Sequence, residues 1–199
     1  MHKQRFTTGA CLAAVLLLSL MPRLHAQTAG DIVVDRYAPG RLDVLAPDGS
    51  AKVSTVGGAG SSWLGACVTT NHRLVTTRRD VPGSGIELFG FDGRPAGSFD
   101  TPEVGLTGDV SAFADGTLAV SDQNGFVHYY SQAGAHLGSF GAPPLGIAGA
   151  FGNFVDSNDV LWVAATPGLA RFDRSGAHLG TTLLGFRAGD VVVAPDGTA

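Results

Sequence analysis

Cysteine is nearly missing from this chain, with only Cys11 and Cys67 in 199 residues. A disulfide-stapled small fold is therefore excluded, because such scaffolds need several paired thiols. Charge is sparse as well, at 15% of residues, with only two glutamates, Glu87 and Glu103. The net charge of −4 leaves no basic footprint for nucleic acid. No segment after residue 26 carries apolar residues at the 3.6 spacing of an amphipathic helix, so helical bundles and helical solenoids are excluded too. What the chain has in quantity is glycine, 29 residues, combined with 44% hydrophobic residues. That composition suits many tight turns between short buried strands, and it is too apolar for disorder.

The first 26 residues read as an export leader. Lys3 and Arg5 precede an apolar run from Ala10 to Leu20, Pro22 breaks it, and Leu24-His25-Ala26 offers a cleavage site before Gln27. The run is shorter than the roughly 20 apolar residues of a membrane span. Removing it takes three of the 13 basic residues and none of the 17 acidic ones, for a mature charge near −7. The expected location is secreted or periplasmic, with no membrane attachment after cleavage and no nucleic-acid partner. Cys67 then stands alone in an apolar stretch, as a buried inert thiol would.

The stretch 108–141 sets the pattern for the rest. Val110, Ala112 and Ala114 alternate up to Asp115-Gly116. Leu118 and Val120 run to Asn124-Gly125, Phe126 to Tyr130 run to Ala133-Gly134, and Leu137 to Phe140 close the unit. Asp-Gly and Asn-Gly between period-2 apolar runs predict hairpins, because both residues tolerate positive φ. The outer turn recurs at Gly49, Gly93, Gly134 and Gly176, at spacings of 44, 41 and 42. The first hairpin turn recurs at His72, Gly116, Asp159 and Gly197, at spacings of 44, 43 and 38. Two rulers keeping one period of a four-stranded blade predict an all-β propeller, with about four blades of chain over residues 27–199. Phe89, Phe91, Tyr129 and Phe172 are expected where blades stack. The sequence enters at a second strand, Ile32-Asp35, and its last segment, 187–199, supplies one first strand. Two outcomes are open: 187–199 closes a four-bladed ring against Ile32-Asp35, or the chain is part of a larger propeller.

The run G-D-V…D-G-T-L-A-V-S-D-Q-N-G…G-A-H-L-G-S-F-G at 108–141, echoed by D-R-S-G-A-H-L-G at 173–180, resembles the NHL-repeat and related six-bladed propeller families. The family run D-x-x-N-x-R-I is only partly present, with Asp122 and Asn124 near it and no arginine following. The resemblance implies a propeller that serves as a binding module, a sensor ectodomain, or a lyase or lactonase. Fold does not choose among them.

The candidate sites are three. Asp109, Asn153 and Asp190 follow glycines where innermost strands begin, so they could offer oxygens to Ca²⁺ or a polar ligand at the axis; the simpler role is local bonding to strand amides. The second-hairpin and inter-blade loops share one end, collecting Arg36, Tyr37, Trp63, Arg78, Arg79, Asp80, Asp122, Gln123 and Asn124 as a binding face. His72, His128, His136 and His178 lack metal-ligand spacing, and Ser61, Ser62, Ser84 and Ser98 lack a nucleophile's turn and partners. Tyr129, Tyr130 and Trp162 fall inside strands as core. The expectation is an exported, non-catalytic binding or scaffold module for a protein or small ligand, without a cofactor. The alternative is a propeller lyase or lactonase with a channel metal.

Overall fold

The computed structural model describes residues 32–36, 41–56, 63–79, 84–141 and 149–193; for 32–36, 41, 53–56 and 63 it describes the backbone alone. The described residues form fifteen strands and no helix, in four antiparallel sheets. The first sheet holds β1 (Ile32–Arg36), β2 (Arg41–Leu45) and β3 (Ala51–Val56). The second holds β4 (Trp63–Val68), β5 (Arg73–Arg79), β6 (Ser84–Gly90) and β7 (Pro95–Asp100). The third holds β8 (Thr107–Ala112), β9 (Leu118–Asp122), β10 (Phe126–Tyr130) and β11 (His136–Gly141). The fourth holds β12 (Asn153–Val155), β13 (Leu161–Ala164), β14 (Gly168–Phe172) and β15 (His178–Leu183). Each sheet is a meander in chain order, as the turns predict. The first sheet lacks an inner strand among the described residues.

The turns explain why the repeat was visible in the sequence. His72, Gly116 and Asp159 all have left-handed φ, at 59°, 89° and 56°, and each closes a tight turn between the first two strands of its blade. The outer-turn glycines at 49, 93, 134 and 176 have φ between 78° and 86°. A left-handed residue is needed at both places, and glycine adopts it without steric cost. Carboxylates lock the same turns: Asp115 accepts the Thr117 amide at 3.0 Å, and Asp173 accepts the Ser175 and Ala177 amides at 2.8 and 2.9 Å.

Period-2 alternation sends the two faces of each middle blade to different neighbours. From the third blade, Val110, Leu118, Val120 and Tyr130 pack with Val75, Ile86 and Leu88 of the second. The opposite face sends Ala119 and Val127 against Leu161, Val163, Ala170 and Phe172 of the fourth, with Tyr129 and Phe140 packed alongside. Phe89 is buried with Leu42, Val44 and Leu74, and Phe91 packs against that group. Each large side chain buried this way contributes about 1.5–3 kcal/mol, so stability lives mainly between blades.

Hydroxyl relays cross the same seams. The Gly65 amide donates to Thr77 Oγ1 at 3.1 Å, and that hydroxyl donates to the Gly108 carbonyl of the next blade at 3.4 Å. One blade on, the Asp109 amide donates to Ser121 Oγ at 2.8 Å, and Ser121 donates to the Phe151 carbonyl at 3.0 Å. Past β15, Ala188, Val191 and Val193 are buried against Ala164 with Phe154, Trp162 and Leu169 alongside. This segment takes the place expected of a further inner strand.

Candidate functional site

The inner strands leave a hollow of about 330 Å³, lined by Ala66 to Val68, Asp109 to Ala112, Asn153 to Val155 and Asp190 to Val192. Asp109, Asn153 and Asp190 therefore border one space, but they do not occupy one register. Val110 pairs with Val120, four residues past the Gly116 turn, whereas Asn153 pairs with Val163, four past the Asp159 turn. Asn153 thus matches Val110, and Gly152 matches Asp109.

Around the axis glycine and aspartate alternate at this position: Gly65, Asp109, Gly152, Asp190. Each aspartate leans on the glycine of the blade before it. A methyl group on Gly65 would overlap the Asp109 carboxylate, and one on Gly152 would overlap that of Asp190. Asp109 accepts its neighbouring Val110 amide at 2.7 Å and the Asn153 amide of the next blade at 3.2 Å. Asp190 accepts the Val191 amide at 2.7 Å. Asn153 is buried, and its Oδ1 accepts the Ser111 hydroxyl, while Nδ2 has no partner. Asp109 thus ties two blades together, while Asp190 caps the start of its own segment. As a cation cage the set fits poorly, because its amide oxygen is engaged and offset by one residue. Among the described residues, no group of three His, Cys, Asp or Glu converges on a metal position. Cys67 lines the same hollow, and burial followed by the charge of Asp109 pushes its thiol well above the ordinary range, so it stays protonated.

The loop-end residues fall into two groups. Val34 pairs with Asp43, Thr76 with Glu87, Val120 with His128 and Val163 with Ala170. Two residues beyond the first member of each pair stand Arg36, Arg78, Asp122 and Ala165. Arg36, Arg78 and Asp122, read as separate loop residues, are thus one recurring position at the end of the second strand. Diagonally across the ladder from it stands Asp43, Glu87, His128 or Ala170, always six residues before the outer-turn glycine. Arg78 lies 3.9 Å from Glu87 and 2.7 Å from Asp100. Asp122 is 3% exposed and accepts the Gly105 amide at 2.9 Å and the Asn124 amide at 2.6 Å. Its Oδ2 stands 3.7 Å from His128 Nε2. Asp122 is therefore a buried cap joining a turn to an inter-blade connector.

Among the others, Asn124 is exposed and Gln123 half-buried in the turn after β9, where the Gln123 amide bonds the Leu106 carbonyl at 2.9 Å. Arg79 is half-buried at the end of β5. Arg36 and Trp63 are described by backbone alone, and Tyr37 and Asp80 lie outside the described residues. Sequence reasoning missed one feature here. Arg187, exposed just before Asp190, stacks at 3.6 Å over the ring of Phe151, which precedes β12. Both stand where inner strands begin, at the loop end of the hollow.

The histidines separate as the repeat implies. His136 and His178 are exposed on outer strands, with rings against Tyr130 and Phe172 respectively. His72 sits in a turn with its ring edge-on to Phe91. Trp162 is half-buried, donating from Nε1 to Asp156 at 3.0 Å beneath Arg171.

No protein-family model and no curated protein matches the chain. Solved structures do. The WD40 β-propeller domain of Doa1 superposes with a TM-score of 0.68 over 86% of this chain and 56% of its own, at 12% identity. Virginiamycin B lyase from Staphylococcus aureus gives 0.62 over 76% and 51%, at 18% identity. A putative gluconolactonase gives 0.65 over 82% and 63%, at 17% identity. The fold is a β-propeller. At these identities the likeness carries architecture alone, and the chain spans a little over half the length of such propellers.

Proposed function

We propose that this chain is an exported propeller of NHL-like blades acting as a non-catalytic binding module, with a small ligand or protein seated at the loop end. The observation that supports this reading most is the hollow of about 330 Å³ left open by the inner strands. Its lining combines carboxylates at Asp109 and Asp190 with apolar residues at Ala66, Ala112 and the exposed Val192. Few polar groups set in an apolar concavity suit a small ligand. The Arg187–Phe151 stack and the 122–125 turn supply a polar and aromatic rim at the same end, which suits recognition. Export is supported by the basic, apolar and small-residue series of residues 1–26.

A second reading is a lyase or lactonase with a divalent cation between Asp109 and Asp190. Three acidic or amide side chains border one hollow, and fold neighbours include a virginiamycin B lyase and a putative gluconolactonase. Against it stand the amides already held by both carboxylates. Metal analysis of the purified mature protein separates the two. Stoichiometric Ca²⁺ or Zn²⁺ that disappears in Asp109→Ala would overturn the non-catalytic reading. A metal-free protein whose melting temperature rises with a small polar ligand, and no longer does so in Asp190→Asn, would support it.

A further inference from the structure

The pair Asp122–His128 differs from its counterparts in the other blades because it can change charge near neutrality. His128 is 5% exposed, and neither ring nitrogen has a hydrogen-bond partner. At 3.7 Å, Asp122 Oδ2 is beyond hydrogen-bond range of Nε2. That oxygen instead holds the Gly105 amide, and its twin holds the Asn124 amide. One carboxylate thus pins the connector 101–106 to the turn 122–125.

Every element packed on His128 contributes a named group. Asp122 comes from β9, His136 from β11 with ring centres 6.0 Å apart, and Glu103 from the connector. Phe126 covers the ring from the same strand at 6.3 Å. Glu103 is anchored by the Tyr130 hydroxyl at 2.8 Å and lies 3.9 Å from His136 Nδ1.

We propose that His128 makes the junction between the connector 101–106 and the turn 122–125 acid-sensitive, closed when the imidazole is neutral and loosened when it takes a proton. A buried imidazolium draws Asp122 Oδ2 across the gap to the charge-assisted distance of about 2.8 Å. That movement takes the oxygen from the Gly105 amide, which then has no partner. Burial, outweighing the attraction of Asp122, lowers the proton affinity of His128 below the ordinary 6.5 of histidine. The unfolded chain therefore binds this proton first as pH falls. The contribution to stability is intact above 6.5 and is lost as pH drops below it. The Tyr130 hydroxyl holds the Glu103 carboxyl below its ordinary value, so Glu103 is still charged where an imidazole begins to take a proton. The device works without reference to any ligand.

The test is an NMR titration of the mature protein from about pH 7.5 to 5, following the His128 imidazole and the Gly105 and Asn124 amides. The Gly105 amide should shift along the His128 curve, with a midpoint below 6.5, and its exchange protection should fall about tenfold for each unit of proton-affinity difference. His128→Gln should remove both effects, and His136→Gln should keep them. If the His128 variant does not fold, the wild-type titration decides alone. A His128 midpoint at or above 6.5, or a Gly105 amide unmoved across it, overturns the proposal.

Discussion

The second, third and fourth blades meet one structural demand with three chemistries. At the end of the second strand and diagonally across the ladder from it they place Arg78 with Glu87, Asp122 with His128, and Ala165 with Ala170. The first blade repeats the basic–acidic order in Arg36 and Asp43, with Asp43 buried. The demand is to fill the seam between blades at this end of the sheet. Two alanines do so without any polar group to satisfy, and both are fully buried. The charged solutions carry a desolvation cost that only well-placed partners offset. In exchange they bind what lies above: Arg78 reaches Asp100 at the end of its blade, and Asp122 holds two amides. The seam can thus be filled apolarly, and charge there does connecting work.

Transplanting one solution into another blade should give the largest effect. Ala165→Asp puts a carboxylate at a fully buried position, and should cost about 3–5 kcal/mol by denaturant unfolding. Adding Ala170→His should recover part of that loss at neutral pH. If the double variant is no more stable than the single one, the two positions are not equivalent and the comparison fails.

Removing the third blade's carboxylate comes next. Asp122→Ala leaves the Gly105 and Asn124 amides without their acceptor, a loss of about 1–3 kcal/mol. The same measurement on Asp122→Ala/His128→Ala, which copies the fourth blade, should show a smaller combined loss than the sum of the single changes. Strict additivity would mean that the two side chains do not act as a pair.

The blades themselves were legible because their turns are local. A residue forced to left-handed φ must be glycine or a tolerant substitute, so Gly93, Gly134 and Gly176 announce the period whatever surrounds them. The channel register needed a count from the turn rather than a match of motifs. Asp109 stands seven residues before Gly116 and Asn153 six before Asp159, so the shared glycine-polar step hides an offset of one place. One place turns a side chain to the other face. The Asp122 cap was hidden for a different reason. A turn sequence rich in Asp and Asn looks solvated, and only the connector folding over it shows the carboxylate to be covered.

Glu87→Gln should have a modest effect. Arg78 keeps Asp100 at 2.7 Å, while the 3.9 Å approach to Glu87 is loose, so the loss should stay within about 1 kcal/mol. A larger loss would indicate that the second blade's ion pair carries its seam as Asp122 carries the third. Raising salt should then weaken the wild type and leave Glu87→Gln unchanged.

The smallest change in stability is expected one residue along, at Arg79. Side chains alternate across a strand, so Arg78 and Arg79 leave β5 on opposite faces. Arg78 shares its face with Glu87 and crowds Gly85. Arg79 stands at the last position of β5, where the strand meets the loop end, paired through its backbone with Ser84. Replacing its side chain keeps that backbone pairing, so Arg79→Ala should shift unfolding by no more than about 0.5 kcal/mol. The same variant should weaken binding if recognition runs through this end. A variant that binds its partner as well as the wild type does, with equal stability, would move the recognition surface away from β5. Replacement at the opposite end, in the Asp115-Gly116 turn, would then be the change to make, because the first hairpin turns gather there.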